Sequence, residues 1–177
     1  YCGGDNPIQE VIYQNYFNKL KKGDIFILSS RFLDKDSTKK SWIEEKNQLE
    51  LLELFNNQIQ KKGVSLVLIK PSPVFKKLPI QCYRQKYFSL NLISNDCVLD
   101  EDNILTKKAK IDRIISELPK NIYIFDPVKA VCENKRCKMI DQYNKPIYGD
   151  ESHFSDYANQ KYLYPALSKF LQKNNLL

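Results

Sequence analysis

The stretch Asp24-Ile25-Phe26-Ile27-Leu28-Ser29-Ser30-Arg31 is a continuous apolar run with polar residues at both ends. Such a run is typical of a strand that is buried on both faces, as in a parallel sheet covered by helices. Two further runs of the same kind follow, at residues 64–69 and 122–125. We therefore predict three buried parallel strands.

Apolar residues at helical spacing occupy the segments around these runs. The helical patterns cover residues 8–20, 42–59 and 101–118, and Ser155 can cap a last helix near the C-terminus. Residues 137–148 have the pattern of a small β-hairpin, whereas residues 80–100 are expected to be loop with room for a short helix. The alternation of helix and strand predicts an α/β fold. We expect one domain over residues 1–177, a three-layer α/β/α sandwich with a mainly parallel sheet and right-handed crossovers.

The composition limits the classes of function. Of the 177 residues 42% are hydrophobic, which suits a domain with a core of ordinary size. The net charge is +7, but the 28 basic residues are scattered among 21 acidic ones, so we expect no nucleic-acid partner. No apolar run approaches the roughly 18 residues of a membrane span. Since the sequence lacks Gly-x-Gly-x-x-Gly and a phosphate-binding loop, we expect no nucleotide cofactor.

The five cysteines indicate disulfides and an oxidising compartment. Cys132 and Cys137 bracket a polar loop, and Cys82 and Cys97 flank a segment without clear periodicity, so each pair is placed to form a bridge. Cys2 is left over, and its simplest partner lies upstream of this sequence; a free thiol or an intermolecular bridge is the alternative. We predict no metal site because no Cys-x-x-Cys pair and no group of histidines occurs.

The leading candidate for chemistry is Asp150-Glu151-Ser152-His153, which holds the only histidine of the chain. Histidine exchanges protons near neutral pH. A carboxylate held against one ring nitrogen fixes the tautomer and leaves the other nitrogen to accept a proton from a nucleophile. The alternative is a surface histidine at the start of a helix, with no chemical role.

The carboxyl ends of the predicted strands supply further candidates, because ligands bind there in open α/β sheets. Ser29, Ser30, Arg31, Lys70 and Asp126 fall at these ends. Ser29 and Ser30 are candidates for substrate binding, and a weaker case exists for either as the nucleophile because neither lies in a glycine-flanked turn. Asp126 is expected to cap the turn that it makes with the following proline.

A short Cys…Cys loop at residues 132–137, a hairpin ending in Tyr148 and the motif Asp-x-x-His-Phe-Ser at residues 150–155 follow one another. Together they resemble the end of an SGNH-type hydrolase domain. More narrowly, they are similar to the periplasmic SGNH domain attached to bacterial acyltransferase type three membrane proteins, which O-acetylate surface polysaccharides. The family has Leu where this chain has Phe154. The likeness reaches upstream to residues 24–32 and includes the pair Cys82 and Cys97.

The resemblance implies that Asp150 orients His153 and that His153 is the general base toward a catalytic serine. The family carries this serine in a Gly-Asp-Ser motif after the first strand, and the nearest string here is Gly4-Asp5-Asn6. We therefore expect the domain to extend upstream of Tyr1, with the first strand, the serine and the partner of Cys2 on that segment.

The family's asparagine-bearing oxyanion segment is replaced around residues 29–31, which makes Arg31 the candidate oxyanion donor. The alternative for Arg31 is an ion pair with a carboxylate at the sheet edge. The implied function is O-acyl transfer, in particular O-acetyl transfer, to a cell-surface polysaccharide or glycan. The acyl group would come from acetyl-CoA through a membrane acyltransferase domain that lies N-terminal in the same polypeptide.

In this interpretation the domain lies in the periplasm and is tethered to the bacterial inner membrane in the full-length protein. Two other functions stay open. One is an SGNH esterase that removes acyl groups from a glycan or lipid with the same residues. The other is a non-catalytic extracytoplasmic module that binds glycans.

Overall fold

The computed structural model describes residues 15–29, 42–88, 97–100, 112–134 and 136–177. The strands are β1 (Ile25–Ser29), β2 (Ser65–Ile69), β3 (Val98–Asp100), β4 (Tyr123–Phe125) and β5 (Arg136–Lys138). The helices are α1 (Trp42–Lys61), α2 (Pro79–Phe88), α3 (Val128–Val131), α4 (Asp156–Ala158) and α5 (Tyr164–Lys173). Residues 15–19 and 112–116 are also helical.

The main sheet consists of β1, β2 and β4 in the order β1-β2-β4, and both pairings are parallel. The central strand β2 is buried on both faces, as predicted, because Leu66, Val67 and Leu68 are inaccessible to solvent. The same prediction is wrong for one residue of β1, where Ile27 is 42% exposed. Among the described strands β1 pairs with β2 alone, and an edge strand receives less cover than a central one.

Helices lie on both faces of this sheet, as expected for three layers. On one face α1 contributes Leu52 and Ile59 to a core with Leu66 and Leu68. On the other face Leu171 of α5 packs with Val67. The alternating side chains of β2 therefore enter two different cores, which is the reason for its continuous apolar sequence.

The passage from α1 into β2 depends on Gly63. Its φ of +72° lies in the left-handed region that side chains disfavour. A Cβ at this position would also lie 2.8 Å from Cγ of Lys22. The carbonyl of Gly63 accepts a 2.9 Å hydrogen bond from the N–H of Gly23, so the glycines that follow two helical segments lie together.

A small antiparallel sheet lies toward the C-terminus, formed by β3 and β5. The sequence did not predict β3, since residues 80–100 were expected to hold a loop and a short helix. The helix is present as α2. The predicted hairpin is present as a bridge between Ile140 and Pro146 and a 2.8 Å hydrogen bond from Ile147 N–H to the Met139 carbonyl.

The last helix begins as predicted at Ser155, whose hydroxyl accepts a hydrogen bond from the Ala158 N–H. A π-helical segment, Asn159–Leu163, joins α4 to α5. The wider turn lies directly before Pro165, which has no N–H to donate to a regular helix. Within the described ranges, none of the helices combines the length and the apolar character that crossing a membrane requires.

Candidate active site

The turn from Gly149 to His153 contains the Asp-x-x-His motif. It is closed by a 2.8 Å hydrogen bond from the Gly149 N–H to the His153 carbonyl, and by an antiparallel bridge between Tyr148 and Phe154. Inside the turn, Oδ1 of Asp150 accepts from the backbone N–H groups of Ser152 and His153, both at 2.7 Å. An aspartate side chain commonly binds the backbone two or three residues further on, so the local sequence favours this turn.

The second carboxylate oxygen of Asp150 faces the imidazole. Oδ2 lies 2.6 Å from Nδ1 of His153, as the spacing predicted for the two side chains. With Nδ1–H donated to the carboxylate, the tautomer places the basic lone pair on Nε2. The side chains are 66% exposed for His153 and 41% exposed for Asp150, so an incoming group can reach the ring from solvent.

The carboxyl group of Asp150 is held in its ionised form. Partial desolvation alone would raise its pKa, but the hydrogen bonds from the Ser152 N–H, the His153 ring and the His153 N–H outweigh it. Together with the attraction of a charged His153, they lower the pKa of Asp150 to about 2. Asp150 is therefore an anion throughout the pH range in which histidine titrates.

The turn is attached to the carboxyl end of the main sheet. Three residues after β2, the hydroxyl of Ser72 donates to the backbone carbonyl of Ser152. The N–H of Phe75 donates a 2.7 Å hydrogen bond to the carbonyl of Glu151. Asp150 and His153 therefore lie beyond the carboxyl end of β2, where α/β sheets bind their ligands.

An aromatic cluster supports the turn from below. Tyr148 is 0% exposed, and the centroid of its ring lies 4.7 Å from the ring centroid of Phe75 and 5.0 Å from that of Phe154. The hydroxyl of Tyr148 has no hydrogen-bond partner among the described residues, and burial raises the pKa of this phenol well above its ordinary value. Tyr148 precedes the turn and Phe154 follows it, so the packing of their rings holds the two ends of the turn together.

The hairpin before the turn is tied to the last helix through Asp141. Its carboxylate accepts from the backbone N–H groups of Tyr143 and Lys145, at 2.8 and 2.9 Å. It also accepts from the hydroxyls of Tyr157 and Tyr162, at 2.6 and 3.0 Å. Burial alone would raise the pKa of Asp141, but these hydrogen bonds outweigh it and hold the pKa below its ordinary value.

The other predicted site residues fall into two groups. Ser29 is the exposed last residue of β1 and pairs in register with Ile69, so it lies at the same end of the sheet as the Asp150–His153 turn. Ser30, Arg31 and Cys2 lie outside the described residues. Their predicted roles stay predictions.

Two more residues at the strand ends have structural partners. Nζ of Lys70 lies 2.6 Å from Oδ1 of Asp112 and 3.7 Å from Oδ2 of Asp126. Oδ1 of Asp126 accepts a 3.1 Å hydrogen bond from the N–H of Val128, which is the turn-capping role that the sequence predicted.

Both predicted cysteine pairs are present as disulfides. Cys82 of α2 is joined to Cys97, directly before β3, and Cys132 is joined to Cys137 of β5. The first bridge therefore joins α2 to the start of β3, and the second joins the segment after α3 to β5. The sequence placed these cysteines correctly but gave no sign of the strand pairing between them.

Ser72 and Phe75 are site residues that the sequence analysis missed. Both residues contact a part of the chain that is distant in sequence: Ser72 is separated from Ser152 by 80 positions. Periodicity reports only local structure, so no pattern within 70–79 indicates these partners. Prolines at positions 71 and 73 flank Ser72, and on their own they favour only an extended backbone there.

An Asp–His pair that is hydrogen-bonded in this way, on a turn beyond the strand ends of a parallel α/β sheet, can accept a proton from a nearby hydroxyl group. The family model described as "SGNH domain (fused to AT3 domains)" matches residues 6–164. The match covers most of the chain, and the chain belongs to this family, whose members are typically hydrolases or acyltransferases. Neither the comparison with curated proteins nor the comparison with solved structures gave a match.

Proposed function

We propose that the chain is the SGNH domain of an O-acyltransferase, and that Asp150 and His153 are two members of a Ser-His-Asp triad. The observation that carries the proposal is the 2.6 Å contact between Oδ2 of Asp150 and Nδ1 of His153, in a chain that belongs to the SGNH family. The nucleophilic serine of the proposal lies on a segment upstream of Tyr1.

In the first half of the reaction, Nε2 of His153 accepts the proton of the serine hydroxyl while the serine oxygen attacks the carbonyl carbon of the acyl donor. Asp150 stabilises the imidazolium that forms. The tetrahedral intermediate carries its negative charge on the former carbonyl oxygen, and we assign Arg31 as the donor to that oxygen. The leaving group departs with the proton from Nε2, and an acyl-serine remains.

In the second half, a sugar hydroxyl attacks the acyl-serine carbonyl and gives its proton to Nε2 of His153. The serine oxygen leaves, recovers this proton, and the acyl ester now lies on the glycan. We assign Ser29 and Ser30 to binding of the acceptor, because Ser29 lies at the same end of the sheet as the turn.

The fusion named in the family description supports the partner and the location. We propose a membrane acyltransferase domain in the same polypeptide that supplies the acyl group from acetyl-CoA. The domain itself would lie in the periplasm, where a cell-surface polysaccharide or glycan would be its acceptor. The two disulfides agree with an oxidising compartment.

The exposure of the imidazole favours one second candidate, an esterase that deacylates a glycan or lipid. A ring that is 66% exposed can activate water in the second half-reaction as readily as a sugar hydroxyl. Transfer and hydrolysis differ only in the acceptor.

The test uses a polypeptide that contains the upstream segment together with residues 1–177, an acyl donor and a glycan acceptor. Acylated glycan from the parent, and none from His153→Ala, is the result that we expect. Lys169→Ala, an exposed change on α5, is the control and should keep full activity. Free acid without acylated glycan would identify the esterase, and neither product from a folded parent would leave only a binding module.

A further inference from the structure

The turn from Gly149 to His153 presents two peptide groups to Asp150. One is the group between Glu151 and Ser152, and the other is the group between Ser152 and His153. Each donates its N–H to Oδ1 of Asp150 at 2.7 Å. The orientation of these two peptide groups therefore determines where the carboxylate lies.

The carbonyl ends of the same two peptide groups are held from outside the turn. The carbonyl of Glu151 accepts from the Phe75 N–H at 2.7 Å. The carbonyl of Ser152 accepts from the hydroxyl of Ser72. Ser72 and Phe75 thus bind the carbonyl oxygens of the two peptide groups, while Asp150 binds their N–H groups.

Such an arrangement does more than attach a loop. A peptide group that accepts at its oxygen becomes a stronger donor at its nitrogen, because hydrogen bonds in a chain polarise one another. Both N–H groups that bind Asp150 are strengthened and fixed in this way. With Oδ1 anchored, Oδ2 is left in the position that faces Nδ1 of His153.

We propose that Ser72 is a positioning residue of the Asp150–His153 pair, acting through the peptide group between Ser152 and His153. Its effect on the pair is a matter of geometry, and only its effect on acyl transfer rests on the proposed function. Without the hydroxyl, the peptide group can rotate, Oδ1 loses an aligned donor, and the contact between Oδ2 and Nδ1 loosens.

The matched substitutions are Ser72→Thr and Ser72→Val, which have the same shape and differ in the hydroxyl. Ser72→Ala is the smaller change that also removes it. Ser116→Ala is the control, since it removes another serine hydroxyl that donates to a backbone carbonyl, that of Arg113.

The readout is the ¹⁵N spectrum of the imidazole in the 177-residue chain labelled at histidine, recorded at alkaline pH because only the neutral ring has tautomers. His153 is the only histidine, so the signals need no assignment. We expect one Nδ1–H tautomer in the parent, in Ser72→Thr and in Ser116→Ala, and a mixture of tautomers in Ser72→Val and Ser72→Ala. Circular dichroism identifies variants that have not folded, and if Ser72→Ala is among them the comparison of Thr with Val decides.

A single Nδ1–H tautomer in folded Ser72→Val or Ser72→Ala would overturn the positioning role. In the longer polypeptide with its acyl donor, the same two variants should lose about 10-fold in kcat with little change in KM, because misplaced catalytic groups lower the rate of chemistry. A parent that transfers no acyl group, combined with the expected tautomer change, would overturn the proposed function and leave the role of Ser72 intact.

Discussion

Asp150 binds His153 twice, through Oδ2 to Nδ1 of the ring at 2.6 Å and through Oδ1 to the backbone N–H at 2.7 Å. One carboxylate therefore fixes both the backbone and the ring of the proposed general base. The spacing of three residues lets the carboxylate make both contacts. A longer spacing would separate the backbone contact from the ring contact.

Replacing Asp150 by asparagine should remove acyl transfer while the fold is kept. The amide presents an N–H where the ring needs an acceptor, so the tautomer with the proton on Nδ1 is no longer favoured. A triad whose aspartate is replaced by asparagine loses on the order of 10⁴-fold in kcat. The measurement is steady-state transfer to the glycan by the longer polypeptide.

Asp156→Asn is the control for this change, because Asp156 is an exposed aspartate in the first turn of α4. It should leave kcat within about 2-fold of the parent, since surface substitutions away from a site have small effects. Equal activity of Asp150→Asn and Asp156→Asn would show that Asp150 has no part in the chemistry.

Acid should destabilise the fold partly through Asp150. Its pKa is about 2 in the folded chain and 3.8 as the ordinary value, so below about pH 4 the unfolded chain takes up the proton first. The stabilisation is complete above pH 4 and is lost as pH falls toward 2. Because the side chain is 41% exposed, we expect at most about 1 kcal/mol from this group.

The measurement for this prediction is urea unfolding at several pH values between 2 and 6. The free energy of unfolding of the parent should fall more steeply with acid than that of Asp150→Asn. Parallel curves for the two proteins would contradict the lowered pKa.

Asp141 should matter for stability more than for chemistry. Asp141→Ala leaves two hydroxyls and two backbone N–H groups of the hairpin and last helix without their acceptor. Asp141 is buried and each of these hydrogen bonds goes to its charged carboxylate, so we expect their combined removal to cost about 3 kcal/mol in the free energy of unfolding. Tyr157→Phe removes only one of the four donors and should cost less than Asp141→Ala.

Urea unfolding at neutral pH distinguishes these two variants from the parent. If Asp141→Ala lowers the free energy of unfolding by less than Tyr157→Phe does, the carboxylate is not the centre of this hydrogen-bond network.

The two disulfides should contribute unequally. The bridge Cys82–Cys97 closes a separation of 15 residues, and loop-closure entropy gives it about 3 kcal/mol. The bridge Cys132–Cys137 closes a separation of 5, for which the same relation gives about 2 kcal/mol. Double alanine variants measure each contribution by urea unfolding.

Mass spectrometry without reduction first establishes whether the two disulfides have formed. It should detect both bridges in protein produced in an oxidising compartment. Free thiols at all four cysteines would argue against the proposed periplasmic location.

The elements that the sequence predicted share one property: their signal is local. The run at residues 64–69 and the cap at Ser155 need no information from elsewhere in the chain, and both are present. The Asp150–His153 contact was also predictable, because three residues on a turn bring the side chains together. Burial of β1 was less predictable, since Ile27 depends on which elements cover the sheet edge.

The features that the sequence did not reveal depend on distant partners. Strand β3 has three residues and exists through its pairing with β5, about 40 positions away. The contact between Ser72 and the Ser152 carbonyl involves a backbone oxygen, which every residue type has. Sequence patterns depend on side-chain type, so the residue type at position 152 does not indicate that its backbone carbonyl accepts a hydrogen bond.

The central claim is that His153 activates a serine for covalent acyl transfer. It is tested most directly by intact-protein mass spectrometry of the polypeptide with its upstream segment, mixed with acyl donor and no acceptor. We predict an acyl adduct on one serine of the upstream segment in the parent and in Lys169→Ala, and its absence in folded His153→Ala. An adduct that forms at the same rate in His153→Ala, or no adduct in an active parent, would contradict the claim.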